Sequence, residues 1–348
     1  MARMGVERAA LPTGPASAGD ELLWVVEYGY DAVTGRLESV TWDEGGGPVL
    51  TESYAYDDNG NRLAWSVDPD GPIGPLPMQH YAGAVHDDRD RLVSYVAPDG
   101  VTTVAFTYDQ AGRLATRSEG AATTRYRYDA LGNLLEVELP DGTLVTYQVD
   151  ALGRRVARSV DGVVESRWVY RDGLDPIAEL DASGAVRRVY AYGTSPFSPD
   201  LVVDAATGTV ERVVRDHLGS PRALVDVATG TSSSYTFDGY GNVRGSAPPG
   251  GLGYTGGLYD PLTGLVRLGA RDYDPVVGRW TAPDPALWGG GQANLYEYVA
   301  GDPLGYVDPT GRNAAAAPLV VAFESVPAGG AGMMLAPSVV LWGGLLER

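Results

Sequence analysis

One phrase recurs along this chain: Tyr-Asp, two or three residues, Gly, a polar residue, then an apolar one. It reads Tyr30-Asp31 to Gly35-Arg36-Leu37, Tyr56-Asp57 to Gly60-Asn61-Arg62-Leu63, Tyr108-Asp109 to Gly112-Arg113-Leu114 and Tyr128-Asp129 to Gly132-Asn133-Leu134. Degenerate copies start at His86-Asp87, Val149-Asp150 and Phe237-Asp238, and the first six copies begin 20 to 30 residues apart. Self-similarity at this period means an array of supersecondary units, none able to bury its apolar face alone.

Between the phrases the pattern has period 2. Arg125-Tyr126-Arg127-Tyr128 and Glu136-Val137-Glu138-Leu139 alternate, and Pro140-Asp141-Gly142 turns the chain before an extended Thr143 to Val149. Pro-Asp-Gly returns at 69–71 and 98–100. Each unit therefore has two turns, with Gly supplying positive φ and Asp capping the turn with its carboxylate. No segment has the pattern of a long amphipathic helix. The expected fold class is all-β: an antiparallel meander, strand after strand, coiling as a spiral sheet whose ends need covering.

Tyr 21 against Phe 4 suits such a surface, with rings on neighbours and hydroxyls near water. The net charge of −19 argues against nucleic acid and anionic membranes as partners. With no Cys there is no disulfide or zinc–thiolate site. Residues 1–22 are Ala/Gly/Pro-rich and read as a disordered leader, without the apolar core of a signal peptide. Residues 23–200 read as the repeat sheet, 201–312 as a denser region, and 313–348 as a variable tail.

The denser region carries the most specific motifs. They are Asp216-His217-Leu218-Gly219-Ser220-Pro221-Arg222, Arg271-Asp272-Tyr273-Asp274-Pro275, Gly278-Arg279-Trp280, Pro283-Asp284-Pro285, Asn294-Leu295-Tyr296-Glu297-Tyr298-Val299 and Asp308-Pro309-Thr310-Gly311. With the Tyr-Asp phrases, these motifs resemble the RHS/YD-repeat proteins over roughly residues 26–312: bacterial polymorphic toxins, C components of insecticidal toxin complexes, and the related teneurin shells. The resemblance implies a spiral β-sheet closing into a hollow shell, plugged by an RHS-associated core, with a C-terminal effector held inside. It also implies an intramolecular aspartic protease that cuts just after Asp-Pro-x-Gly. Three features depart from that pattern. The shell is short, the first motif reads Asp284-Pro285-Ala286-Leu287 without its Gly, and Arg312 stands where the family usually has Leu.

Asp284 and Asp308 are accordingly the candidate catalytic pair. Two adjacent carboxylates share a proton, so one acts as base on water and the other as acid. Arg271 matches the family's conserved arginine and is expected beside them, with cleavage between Arg312 and Asn313. Against this stands the plain reading of Asp-Pro as a turn opener, a dipeptide this chain uses seven times. His217 reads as a turn histidine, with no partner for Ser220. His80 and His86 lack ligand-spaced neighbours; Asp57, Asn59, Asn61 and Asp68 touch the EF-hand spacing, but Arg62 stands where that loop needs Gly and Asp68 where it needs Glu, so a repeat turn is preferred to a calcium site. No metal or cofactor is expected. The tail holds no His, Asp, Lys or Cys and reads as a remnant or leading segment of an effector.

The reading that follows is an encapsulating carrier of a polymorphic toxin, secreted or displayed at the cell surface. Its partners would be its own C-terminal effector segment and secretion or toxin-complex components that close the shell. The competing reading is a non-enzymatic wall or surface protein whose tyrosine faces bind carbohydrate or a partner.

Overall fold

The computed structural model describes residues 4–10, 23–43, 50–67, 82–171, 173–195 and 197–317. Two antiparallel sheets follow the chain in strict sequence order. The first has five strands, from Met4–Ala10 to Arg62–Val67, and the second has fifteen, from Ala82–His86 to Ser232–Ser234. Residues 4–10 depart from the expected disordered leader: they pair with Leu23–Tyr30 across a full seven-residue register. A strand already presenting an open edge offers backbone partners to whatever segment reaches it. The rest of 1–22 lies outside the described residues, as do His80, Asp68 and the tail beyond 317.

Each Tyr-Asp phrase makes the same local structure. The ladder register shifts at the tyrosine, as at Ala55/Tyr56, Thr107/Tyr108 and Arg127/Tyr128. The next residue, Asp, then closes a tight turn. At Asp129 one carboxylate oxygen accepts from the Leu131 and Asn133 amides, both at 2.9 Å, and Gly132 takes φ 91°. A left-handed residue between the capping Asp and the returning strand is what Gly adopts without steric cost. The polar residue after Gly holds the second carboxylate oxygen: Asn133 at 2.9 Å on Asp129, Arg113 at 2.7 Å on Asp109, Arg154 at 2.7 Å on Asp150.

That arginine also couples one repeat to the next. The Arg91, Arg113 and Arg154 guanidinium groups lie 5.2, 5.4 and 4.9 Å from the ring centres of Tyr108, Tyr128 and Tyr170. The Tyr108 and Tyr170 hydroxyls donate back to the carbonyls of Leu92 at 3.0 Å and Arg155 at 2.8 Å. Cation–π contact plus a hydrogen bond makes the array a chain of nearest-neighbour interactions. The tyrosine faces that the sequence offers as sugar platforms are largely turned inward, with Tyr28, Tyr30, Tyr54, Tyr95, Tyr147 and Tyr190 buried.

The fifteen-stranded sheet runs past residue 200. Leu201–Asp204, Val210–Arg215 and Pro221–Asp226 continue its ladder, so the irregular core begins only near residue 236. This core holds a four-stranded sheet (Leu258–Tyr259, Val266–Leu268, Arg271–Asp274, Arg279–Trp280) and 3-10 turns; no α-helix occurs among the described residues. Its centre is an aromatic knot. The Tyr273 and Tyr298 ring centres lie 4.5 Å apart, with Tyr254 and Trp280 packed around them.

The core is fastened to both sheets by buried polar contacts. The Tyr296 hydroxyl donates to the Gly112 carbonyl at 2.6 Å, and Arg279 donates to Asn61 at 2.8 Å. Arg158 binds Asp260 at 2.7 Å, and Arg155 binds Asp272 at 2.7 Å. Glu52, fully buried, accepts from Trp42 Nε1 at 3.0 Å and the Gly239 amide at 3.1 Å, and pairs with Arg244. Buried charges of this kind are tolerated only when paired and hydrogen-bonded, so they specify one docking of core on sheet.

Candidate active site

Three short segments of the core meet around Arg271. Arg271 opens the strand Arg271–Asp274, which pairs on one side with Val266–Leu268 and on the other with Arg279–Trp280. The chain then runs on to Asp284, whose amide donates to the Leu295 carbonyl at 3.0 Å. Asp308 follows the strand Tyr306–Val307, which pairs with Ala315–Ala316. That hairpin folds residues 308–314 back over themselves, and the Ala270 amide binds the Thr310 carbonyl at 2.9 Å, docking the turn beside Arg271.

The two carboxylates meet on one nitrogen. Arg271 Nη2 lies 2.9 Å from Asp284 Oδ2 and 3.2 Å from Asp308 Oδ2. Arg271 Nε donates to the Gly311 carbonyl at 2.6 Å, Nη1 to the Leu295 carbonyl at 3.2 Å, and the guanidinium stacks 3.9 Å from the Trp280 ring centre. Burial pulls the Arg271 guanidinium below its ordinary value, opposed by the two carboxylates. Burial also raises the Asp284 carboxyl above its ordinary value, with the neighbouring Asp308 adding to the rise and Arg271 opposing it.

Asp308 Oδ1 faces the turn that follows it. It accepts from Thr310 Oγ1 at 3.0 Å and from the amides of Arg312 and Asn313, each at 3.1 Å. The carboxyl therefore touches the nitrogen of the Arg312–Asn313 bond. Gly311 makes this turn possible: its φ is 63°, and a Cβ there would collide with the Leu268 carbonyl. The missing glycine of the first motif has a structural counterpart too. Leu287 sits at φ 51°, the left-handed region glycine takes freely, with its side chain 52% exposed. The Asp284 turn forms nonetheless, with the Ala286 amide on Asp284 Oδ1 at 2.7 Å and the Leu287 amide on its carbonyl at 2.9 Å.

The other polar candidates are used structurally. His217 Nε2 meets the Leu304 carbonyl at 2.7 Å, which only an Nε2–H can satisfy, while Ser220 Oγ accepts the Thr255 amide at 3.0 Å. His86 Nε2 accepts from Arg279 at 3.2 Å; burial and that guanidinium bring its pKa down to about 4. Asp57, Asn59 and Asn61 form a repeat turn bridged to Asp90. Among the described residues no group of three His, Cys, Asp or Glu is placed to hold a metal ion. Among the same residues no helix is long and apolar enough to cross a membrane.

Sequence reasoning did not anticipate the buried pairs that seat this core, such as Arg158–Asp260 and Arg155–Asp272. Arg155 follows the repeat arginine Arg154 directly, so a second, inward-facing cation beside a capping one was the available signal.

The teneurin YD-shell family model matches residues 24–303. Mouse teneurin-4 is 29% identical over 273 residues, spanning 75% of this chain and 9% of its own length. Double-stranded DNA deaminase toxin A of Burkholderia cenocepacia (strain H111) is 28% identical over 333 residues, spanning 84% of this chain and 22% of the toxin. The chain thus spans a small part of either relative. The crystal structure of TcdB2-TccC3 aligns over 83% of this chain and 19% of its own, at 18% identity and a TM-score of 0.44. With the family match running from the first long repeat strand into the turn before Asp308, the chain is an RHS/YD-repeat protein and belongs to the teneurin YD-shell family.

Proposed function

We propose that this chain is shell and core of an encapsulating toxin carrier, and that the core cuts the Arg312–Asn313 bond to free whatever follows. The carrier reading is supported by the likeness to a deaminase toxin that extends beyond the shared region. The cleavage reading is carried by one contact, Asp308 Oδ1 at 3.1 Å from the Asn313 nitrogen, while Arg271 ties the same residue to Asp284.

In this mechanism Asp308, as carboxylate, takes a proton from water as the water oxygen bonds to the Arg312 carbonyl carbon. Asp284, as acid, gives its proton to the carbonyl oxygen. Its raised pKa suits it to hold that proton. The resulting diol collapses and the C–N bond breaks. Asp308 passes its proton to the Asn313 nitrogen, and the diol returns one to Asp284. The products are a carboxyl group on Arg312 and an amino group on Asn313. Arg271 keeps the two carboxyls together and holds the Gly311 carbonyl, one residue before the cut. The test is intact-mass measurement and N-terminal sequencing of the purified chain and of its Asp284→Asn and Asp308→Asn variants. A peptide beginning at Asn313 in the parent, absent from both variants, is expected; equal cleavage in all three overturns the reading.

A further inference from the structure

The two repeat sheets meet at a seam that no backbone ladder crosses. Among the described residues, Arg62–Val67 ends the first sheet and Ala82–His86 begins the second. Side chains join them instead. Asp90 holds φ 59° where the other phrases place Gly, and its Oδ1 accepts from Asn59 Nδ2 at 3.1 Å and Asn61 Nδ2 at 2.8 Å. From the core, Asn294 Nδ2 and Arg279 Nη1 both donate to Asn61 Oδ1 at 2.8 Å. Arg279 also reaches His86 Nε2 at 3.2 Å and donates to the Asp90 carbonyl.

Glu297 lies within this cluster. Its carboxyl packs against Gly60, where an added Cβ would strike Oε1. The side chain is 10% exposed, and among the described residues Oε1 accepts no hydrogen bond. Charges face it from each packed turn and strand. Arg36 Nε is 3.8 Å away, beyond hydrogen-bond reach, while its Nη1 and Nη2 donate to the Asp57 and Asp58 carbonyls at 2.9 and 3.3 Å. Arg279 pairs its backbone with that of Glu297. Burial is the largest influence and lifts the Glu297 carboxyl to about 7; Arg36 and Arg279 oppose the rise, and Asp57 and Asp90 add to it.

We propose that Glu297 is a pH-dependent latch on the seam: protonated, it lets residues 294–299 of the core clamp the 57–61 and 87–91 turns together; ionised, it drives the first turn away. A buried carboxylate oxygen without a donor is relieved only by water, and water reaches Oε1 when the Gly60 turn moves off. The sign follows from linkage. A carboxyl that holds its proton more tightly when the seam is closed favours closure below about pH 7 and gives that up as pH rises through it. His86 bounds the other side, because protonation near pH 4 would remove its ring as an acceptor for Arg279. The latch requires neither encapsulation nor cleavage.

The test uses the full chain, which has no Cys of its own. Asp58→Cys and Arg89→Cys place one spin label on an exposed position at each side of the seam. Distances between them are measured at constant ionic strength from about pH 5.5 to about pH 9, either side of the window set by linkage. A single narrow distance is expected at the acid end, with a longer one growing in around pH 7 and no loss of β-sheet circular dichroism. In the same background Glu297→Gln, which is neutral throughout, should keep the narrow distance over the whole range. The carbon-13 shift of the Glu297 carboxyl in the parent should titrate near pH 7; this measurement needs no variant and stands if Glu297→Gln fails to fold. An unchanged distance in the parent, the same opening in Glu297→Gln, opening only with global unfolding, or a carboxyl that titrates in the ordinary glutamate range each overturns the proposal.

Discussion

Asp308 Oδ1 lies 3.1 Å from the amide nitrogen of Asn313, five residues further along the chain. The same oxygen accepts the Arg312 amide, so both sides of the candidate bond are held by one carboxyl. A turn opener needs only the first such contacts; the Arg271 bridge to Asp284 is what a plain Asp-Pro turn does not require.

Replacing either aspartate by Asn should lower the rate of appearance of the Asn313 peptide by about 10²-fold or more, the usual reach of positioned acid–base groups. Two other sources of fragments are separable by terminus. Acid hydrolysis cuts after the aspartate of any of the seven Asp-Pro dipeptides, Asp284, Asp302 and Asp308 among them, and never after Arg312. A contaminating protease cutting after Arg would act on the variants as readily as on the parent.

Arg271→Leu should destabilise the core strongly. It leaves two buried carboxyls without their shared cation, a loss on the order of 3–5 kcal/mol. Chemical denaturation should show a lower midpoint, and the Asp284→Asn/Arg271→Leu double variant should recover part of it. Additive losses would mean that the ion pair is not coupled.

Glycine substitutions should separate backbone strain from collision. Gly132 has φ 91°, and a Cβ added there would meet no atom within 4 Å, so Gly132→Ala faces backbone strain alone, about 1 kcal/mol. Gly311→Ala at φ 63° also drives a methyl into the Leu268 carbonyl. Thermal melts should rank it well below Gly132→Ala, and the Asn313 peptide should vanish with it.

Leu287→Gly should raise stability by about 1 kcal/mol, since it relieves a left-handed φ of 51° and surrenders a side chain that is already half exposed. A fall in melting temperature would show that Leu287 contributes packing that outweighs its strain.

Stability should respond to pH through Asp238, whose carboxyl burial and the nearby Glu52 push up to about 6. A carboxyl that holds its proton more tightly when folded gains stability as pH falls. The gain begins near pH 6 and is complete below the unfolded value of about 4, on the order of 3 kcal/mol. His86, brought down to about 4, acts oppositely, losing stability as pH falls from about 6.5. The comparison is therefore between parent and Asp238→Asn: the variant's melting temperature should fall more steeply, or rise less, between pH 6 and 4. Identical pH profiles would exclude the assignment.

The sequence by itself determined the repeat, the two turn types and the all-antiparallel order. Those features are local: a capping Asp, a glycine with positive φ and period-2 alternation act over a few residues, and nothing distant is needed to read Asp129-Ala-Leu-Gly132-Asn133 as a turn. It also marked Asp284, Asp308 and Arg271 through motifs. Tertiary structure decided the rest. It carried the meander past residue 200, where strands Leu201–Asp204 and Val210–Arg215 bond to neighbours whatever their motif. It recruited residues 4–10 to an open edge. It joined Arg158 to Asp260 and Arg155 to Asp272 across more than a hundred residues. Such pairs leave no period in the sequence, because a buried charge is specified by the desolvation it must avoid, and only the folded core says which partner is within reach.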